Sequence, residues 1–179
     1  MVILGLGSNV GNRLKHLSAA INILGRSVLA AIEMSPIYET KAVLKEGSPD
    51  NWSDKFLNMA VVGETHLSPS DLLKNIKMIE KEIGRQDRGI WAPREIDIDI
   101  LAYKNLAIET DELIIPHKHL YKRPFALVPL ADIAPNWQCP VEGAFKGKTA
   151  YEIVNQLFSG TADIKKTDYQ IETEEVLVA

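Results

Sequence analysis

The sequence predicts an α+β fold with a ferredoxin-like β-α-β-β-α-β core, an antiparallel sheet and extra C-terminal helices. Two observations support this fold class. Short apolar or alternating runs, expected of strands, are separated by two segments whose apolar residues recur at helical spacing. The order of these six segments is that of the split βαβ motif, in which both helices lie against an antiparallel sheet.

The first half of the core begins with an apolar strand at residues 2–6, which stops at Gly7-Ser8-Asn9. Apolar residues then recur at helical spacing from Leu14 to Leu24. Gly25 follows directly, so we expect it to end this helix in a left-handed conformation. Residues 28–38 are rich in apolar and β-branched side chains and predict the second strand.

The second half of the core repeats the pattern with a third strand over residues 56–65. Ser68 has the chemistry of a helix N-cap, and Gly84 is placed to end the helix that follows. Residues 95–103 alternate most regularly and predict the fourth strand. The polar segments 39–55 and 85–93 come before the last two strands, and we expect them to be loops that act as lids.

The rest of the chain predicts helices near residues 123–133 and 149–158. We therefore expect a single domain over residues 1–160 and a weakly ordered C-terminal tail over residues 161–179.

The composition limits the classes of function. The chain has 179 residues, with 24 acidic and 20 basic side chains and a net charge of −4. This balance argues against nucleic acid as a partner, and a phosphorylated ligand would need a local basic cluster. The single cysteine, Cys139, cannot form an internal disulfide, and no apolar stretch approaches the ~20 residues of a membrane span. We expect a cytoplasmic monomer that binds small-molecule substrates.

The strongest chemical signal is the alternation in the fourth strand. Asp97 and Asp99 would lie on one face of it, about 6.6 Å apart between Cα atoms. Two carboxylates at this spacing suit a hard cation such as Mg²⁺. The alternative is a half-buried strand with a solvated acidic face, and the strand alone leaves both interpretations open.

The segment before this strand favours the metal interpretation. Arg85, Arg88 and Arg94 lie close together in sequence, and guanidinium groups bind phosphate oxygens in a bidentate manner. Such a loop beside a metal-binding strand is suited to phosphoryl transfer. Trp91 could either cover a ring or fill the core.

Two weaker motifs have simpler interpretations. The cluster Gly5-x-Gly7-x-x-x-Gly11 lacks the spacing of a dinucleotide loop, so a helix cap at Ser8 or Asn9 is favoured. His117 and His119 are two residues apart without a third ligand nearby in sequence. A hydrogen bond from His117 to phosphate, or a turn histidine, is favoured over a zinc site.

In order along the chain, these motifs resemble the 6-hydroxymethyl-7,8-dihydropterin pyrophosphokinase family of folate biosynthesis. The resemblance covers about residues 2–137. It rests on the following segments: Gly7-Ser8-Asn9, Phe56-Leu57-Asn58, Gly84-Arg85, Pro93-Arg94-x-x-Asp97-x-Asp99-Ile100-Leu101, and Pro116-His117 through Arg123-x-Phe125-x-Leu127-x-Pro129-Leu130.

The resemblance implies transfer of diphosphate from ATP to the hydroxymethyl group of the reduced pterin, with release of AMP. It implies two Mg²⁺ ions held by Asp97 and Asp99, and a catalytic role for Arg85 and Arg94. The residues implied to contact ATP are Lys77, Glu80, Arg88, Trp91, Ile100, His117 and Arg123. Those implied to bind the pterin are Thr40, Val43, Phe56, Asn58 and Phe125, with the ring stacked between the two phenylalanines.

The sequence departs from the family pattern at several positions. Phe56 stands where tyrosine is common, Lys41 and Ala42 replace a frequent proline pair, and Ala92 replaces a glycine. Two other classes remain open from the residues alone. One is an Asp-x-Asp metal-dependent nucleotide-sugar transferase, although the chain is short for it. The other is a ferredoxin-like binding module, which should be more basic and carry aromatics on its central strands.

Overall fold

The computed structural model describes residues 1–44, 47, 49, 52–89, 92–159 and 164–173. Within these residues the elements, in chain order, are β1 (Val2–Ser8), α1 (Arg13–Ser27), β2 (Ala30–Met34), β3 (Tyr38–Thr40), β4 (Phe56–Glu64), α2 (Pro69–Ile83), β5 (Asp97–Tyr103), β6 (Ile108–Glu109), β7 (Ile114–Ile115), a 3₁₀ turn (Leu120–Lys122), α3 (Pro124–Ile133), α4 (Ala150–Phe158) and β8 (Ile164–Lys166).

The main sheet is antiparallel and has the strand order β5-β1-β4-β3-β8, with β2 also paired to β4. β6 and β7 form a separate hairpin. The predicted α+β class with an antiparallel sheet is confirmed, and α3 and α4 are the expected C-terminal helices.

Alternation along the strands separates two cores on the two faces of the sheet. Leu4 and Ile98 belong to the larger core, which α1 and α2 cover. Ile3 and Leu101 belong to a second core with α3 and α4. These last two helices leave part of their face of the sheet open, and the candidate site lies there.

The second helix follows the sequence prediction, but the first does not. In α2 the Ser68 hydroxyl accepts a hydrogen bond from the Asp71 N–H, and Gly84 ends the helix at φ 104°. In α1 the N-cap is Asn12, so the caps expected at Ser8 or Asn9 are wrong. The end expected at Gly25 is also wrong, because the helix continues through it to Ser27.

The predicted strand over residues 28–38 is divided into β2 and β3. Between them, Pro36 has no N–H to donate to a neighbouring strand. Ser35 keeps the chain attached to β4 there, because its hydroxyl accepts the N–H of Ala60 at 2.9 Å. The core order is therefore β-α-β-β-β-α-β.

Part of the predicted weakly ordered tail is a strand. β8 pairs antiparallel with β3, with Tyr38 opposite Lys166 and Thr40 opposite Ile164. The Thr167 N–H continues the attachment by donating to the Ile37 carbonyl at 2.9 Å. Three residues with two lysines carry little strand signal, which explains why the sequence pattern did not indicate this strand.

Candidate active site

A cavity of about 740 Å³ opens on the face of the sheet that α3 and α4 leave uncovered. Its floor comes from β1, β4 and β5, and its walls come from loops and from the start of α3. Most of the candidate site residues line it, namely Thr40, Val43, Phe56, Asn58, Lys77, Arg85, Arg94, Asp97, Asp99, His117, Arg123 and Phe125.

Two glycines of β1 lie on the cavity floor beside the acidic pair. In the β1–β5 register, Gly7 lies opposite Asp97 and Gly5 lies opposite Asp99. A Cβ atom on Gly7 would come within 2.9 Å of the Asn58 Oδ1 atom. At Gly7 the strand thus omits a side chain where the Asn58 amide needs space. Gly5 and Gly7 of the glycine cluster therefore contribute cavity floor from within a strand.

Asp97 accepts from two arginines through the same oxygen. Its Oδ1 lies 2.8 Å from Arg85 Nη1 and 2.9 Å from Arg94 Nη1. Burial alone would raise the pKa of Asp97, but the two guanidinium groups outweigh it and the pKa is lowered. Asp97 is therefore a carboxylate, and it gathers both arginines at one end of the cavity.

Asp99 has weaker partners. Its Oδ2 lies 3.7 Å from His117 Nε2 and 3.8 Å from Arg123 Nη1, beyond hydrogen-bonding distance. Burial and the negative charge of Asp97 raise the pKa of Asp99 to about 7. Burial, Arg123 and His119 lower the pKa of His117 to about 4, so this imidazole is neutral at pH 7.

The donor chemistry of this end suits a hard cation. Two carboxylates on one strand face supply the oxygen ligands that Mg²⁺ prefers, and the remaining positions would fall to water and phosphate oxygens. Within the described residues, no group of three or more His, Cys, Asp or Glu side chains forms a complete protein site. Asp97 and Asp99 therefore fit as two of the ligands of such an ion.

A buried carboxylate beneath this end holds two basic side chains of the site in place. Glu80 in α2 accepts a hydrogen bond from the Ile98 N–H at 2.8 Å, between the two aspartates in sequence. It also accepts from Lys77 Nζ at 2.8 Å and from Arg85 Nη1. Arg85 therefore bridges Glu80 and Asp97, and its pKa is raised because these two carboxylates outweigh its burial.

Aromatic rings and an amide line another part of the cavity, called the aromatic end here, in which Phe56 and Asn58 lie on β4 and are separated from the aspartates of β5 by β1. Phe56 and Phe125 both line it. The Asn58 side chain is buried, and its Nδ2 donates to Thr40 Oγ1 at 2.8 Å. The Arg123 guanidinium lies 5.7 Å from the centre of the Phe125 ring, so this arginine stands between the aromatic end and Asp99.

Comparison with known proteins fits this geometry. The sequence model of the 7,8-dihydro-6-hydroxymethylpterin-pyrophosphokinase (HPPK) family matches residues 3–135. The chain belongs to this family. A 2-amino-4-hydroxy-6-hydroxymethyldihydropteridine pyrophosphokinase of Aquifex aeolicus is 45% identical over 140 residues, which cover 78% of this chain and 84% of that protein. The Bacillus subtilis protein of the same name is 41% identical over 131 residues, or 73% of this chain and 75% of that one.

Other relatives are longer proteins. The folate synthesis bifunctional protein of Chlamydia muridarum is 41% identical over 155 residues, which cover 85% of this chain but 34% of the relative. The chain thus spans about a third of that protein's length. A solved HPPK-DHPS structure in complex with substrates matches this chain with a TM-score of 0.66 at 17% identity. The matched region covers 87% of this chain and 42% of the chain in that structure. This likeness supports the fold alone.

Three residues implied by the resemblance to contact ATP have side chains that do not line the cavity. Ile100 belongs to the core on the opposite face of the sheet, because alternation in β5 directs it away from the aspartates. Arg88 forms an ion pair with Glu95 at 2.6 Å and, in this arrangement, lies outside the cavity. Glu80 reaches the site only through the side chains that it holds. The position of Trp91 lies outside the described residues.

The sequence pattern missed Asn9 and Trp52, which also line the cavity. Trp52 was detectable as an aromatic residue within the long loop over residues 39–55. Asn9 was assigned to a helix cap, and its contacts with residues distant in sequence gave no local signal.

Regarding membranes, no helix in the described residues is long and apolar enough to cross one.

Proposed function

We propose that the chain transfers diphosphate from ATP to the hydroxymethyl group of 6-hydroxymethyl-7,8-dihydropterin, giving AMP and the pterin diphosphate. The observation that carries the proposal is the division of one cavity into two chemical ends. One end gathers Asp97, Asp99 and two arginines, and the other gathers two phenylalanines and a buried amide. Family membership supports the same reaction.

At the aromatic end, the pterin ring would stack between Phe56 and Phe125. Stacking a flat heterocycle between two rings contributes contact area and fixes its plane. Asn58 would hydrogen-bond the polar edge of the ring, and its orientation is set by the bond to Thr40. Val43 would cover the ring from the loop, since it lines the cavity although it is otherwise exposed.

At the charged end, Asp97 and Asp99 would hold two Mg²⁺ ions, which neutralise charge on the triphosphate. Arg85 and Arg94 both bind Asp97 Oδ1. When the nucleotide binds, these guanidinium groups would exchange this oxygen for phosphate oxygens. His117, Arg123 and Lys77 would contact the nucleotide, whereas Glu80 would act by holding Arg85 and Lys77.

In the transfer step the hydroxymethyl oxygen attacks the β-phosphorus of ATP. The bond from that phosphorus to the α,β-bridging oxygen breaks, AMP leaves with the bridging oxygen, and the hydroxyl proton passes to solvent. Arg94 and Arg85 stabilise the charge that develops on the phosphate oxygens. Positioning and charge stabilisation dominate this kind of reaction, so a strong general base is not required.

The products provide the test. The chain is incubated with Mg²⁺, ATP and the reduced pterin, and the nucleotides are separated by chromatography. We expect AMP and pterin diphosphate in equal amounts, and no turnover by Asp99→Asn. Formation of ADP would refute diphosphate transfer, because it requires cleavage between the β- and γ-phosphates.

We also propose that the chain acts as a monomer in the cytoplasm. The single cysteine, Cys139, is buried and free, which fits a reducing compartment. Sedimentation at the concentration of the activity assay tests the monomer. A dimer whose dissociation abolishes activity would contradict it.

A further inference from the structure

Asn9, directly after β1, connects the ends of the two loops that border the cavity. Its side chain is buried, with 4% of the residue exposed. Its Oδ1 accepts the Arg94 N–H at 2.8 Å, and its own N–H donates to the Arg94 carbonyl at 3.2 Å. Its Nδ2 donates to the Asp54 carbonyl at 3.3 Å.

These contacts fix which way the Asn9 amide points. A backbone N–H must face the amide oxygen, and a backbone carbonyl must face the amide nitrogen. At this position a side chain with one donor and one acceptor can satisfy both loops, whereas a carboxylate satisfies only the Arg94 side. Alanine would satisfy neither.

The two backbone sites that Asn9 holds lie next to the functional ends of the cavity. Arg94 directs its guanidinium to Asp97, at the charged end. Asp54 is two residues before Phe56, at the aromatic end. One side chain therefore sets the position of an arginine relative to the ring against which the acceptor substrate would stack.

We propose that Asn9 is a positioning residue that aligns the phosphate-binding Arg94 with the pterin-binding segment at Asp54–Phe56. The inference rests on the proposed function. In this role Asn9 acts on catalysis through the Arg94 backbone and on pterin binding through the Asp54 carbonyl. The effect on catalysis depends on Asn9 Oδ1, and the effect on pterin binding depends on Asn9 Nδ2. A substitution that keeps one atom type and changes the other can therefore separate them.

Arg13 offers a matched comparison on the pterin side. Its Nη1 donates to the Lys55 carbonyl at 2.9 Å, one residue after the carbonyl that Asn9 holds, and to Glu39 Oε2 at 3.3 Å. Arg13→Gln should therefore weaken pterin binding while leaving Arg94 in place.

The experiment measures kcat and the KM of each substrate for Asn9→Ala, Asn9→Asp and Arg13→Gln. Leaving the part-buried Arg94 N–H without its acceptor should lower kcat about tenfold in Asn9→Ala. Asn9→Asp keeps the acceptor for Arg94 but places an oxygen against the Asp54 carbonyl. It should retain kcat within about threefold and raise the pterin KM about five- to tenfold. Arg13→Gln should share only the KM effect.

A double-variant cycle separates positioning from general stability. If Asn9 acts through Arg94, adding Asn9→Ala to Arg94→Ala should lower kcat by less than about twofold. An equal tenfold loss in both backgrounds would overturn the inference, as would an Asp variant that loses kcat as severely as the Ala variant. The Asp variant keeps the test decisive if Asn9→Ala does not fold.

The failure of this inference can be told apart from failure of the proposed function. Absence of AMP formation by the wild-type chain would overturn both. Wild-type activity together with unchanged kcat and KM values in the Asn9 variants would overturn only the positioning role.

Discussion

Replacing Glu80 with glutamine tests whether a buried carboxylate organises the charged end of the cavity. The side chain is 3% exposed and accepts hydrogen bonds from the Ile98 N–H, Lys77 and Arg85. Glutamine has nearly the same shape and keeps one carbonyl oxygen for the Ile98 N–H. It removes the negative charge that faces Lys77 and Arg85 and leaves the other contacts of the cavity unchanged.

The size of the effect follows from the exposure of the partners. A hydrogen bond to a charged group contributes about 1.5–3 kcal/mol when buried. The Lys77 side chain is 54% exposed, so its pair with Glu80 contributes below about 1 kcal/mol. Arg85 is 26% exposed and retains Asp97 as a partner. We expect Glu80→Gln to lower the free energy of unfolding by about 2 kcal/mol, and Tm by about 4–8 °C.

The same substitution should affect turnover. With glutamine at position 80, Arg85 keeps only Asp97 of its two carboxylate partners, so its guanidinium is less well placed for the phosphate oxygens. We expect kcat to fall about tenfold. Circular dichroism during heating measures Tm, and the rate of AMP formation at saturating substrates measures kcat.

Glu82→Gln is the matched control, because Glu82 lies on the same helix and is exposed. It should leave Tm and kcat unchanged. If Glu80→Gln behaved like this control, the ion pairs of Glu80 would contribute neither stability nor placement of Arg85, and the reasoning would be refuted.

Three further predictions concern other contacts of the site. Asp97→Asn should lower kcat at least about a hundredfold in an AMP assay with varied Mg²⁺, because it removes a charge that we propose binds Mg²⁺ and the shared partner of two arginines. Gly7→Ala should raise the pterin KM about tenfold and leave the ATP KM unchanged in steady-state kinetics, because its Cβ would lie 2.9 Å from Asn58 Oδ1. Tyr38→Phe should lower the free energy of unfolding in urea by about 1–2 kcal/mol, because it removes a 2.6 Å hydrogen bond to Asp132 between β3 and α3.

Each of these predictions has a control and a contradicting result. Asp111→Asn, on the exposed surface, should retain full activity, and Mg²⁺-dependent turnover by Asp97→Asn at the wild-type rate would contradict the metal role. Equal changes in the KM values for pterin and ATP would show that Gly7→Ala disturbs more than the position of the Asn58 amide. Tyr169→Phe should not change stability because Tyr169 is half exposed, and the same null result for Tyr38→Phe would contradict the role of its hydrogen bond.

The fold class could be predicted because its signals are local. Alternation identified β5, and a serine cap with a left-handed glycine identified α2. The errors arise where a local signal competes with packing. Gly25 is a common helix end, yet α1 passes through it to Ser27, and the Val28 N–H still donates to the Leu24 carbonyl at 2.9 Å as the chain enters the core at Val28. Pro36 separates β2 from β3 within residues 28–38, whose apolar and β-branched side chains predict a single strand.

The candidate site was predictable where its residues form a motif within one segment, as Asp97, Asp99 and Arg94 do. It was not predictable where a residue acts across the chain. Asn9 and Arg94 are 85 residues apart, and Glu80 and Ile98 are 18 apart. A single sequence shows the chemistry of such residues, but their partners become visible only when the strands are placed beside one another.

The pairing of β8 with β3 has a consequence for how the chain folds. Until Lys166 has been synthesised, the outer edge of β3 has no strand beside it, although β1, β4 and β5 are already complete. An unpaired edge is a template for association with other chains. Among the described strands, β8 is therefore the one that covers the edge beside Thr40 after the others have been made, and chains truncated before it would carry an open edge next to the cavity.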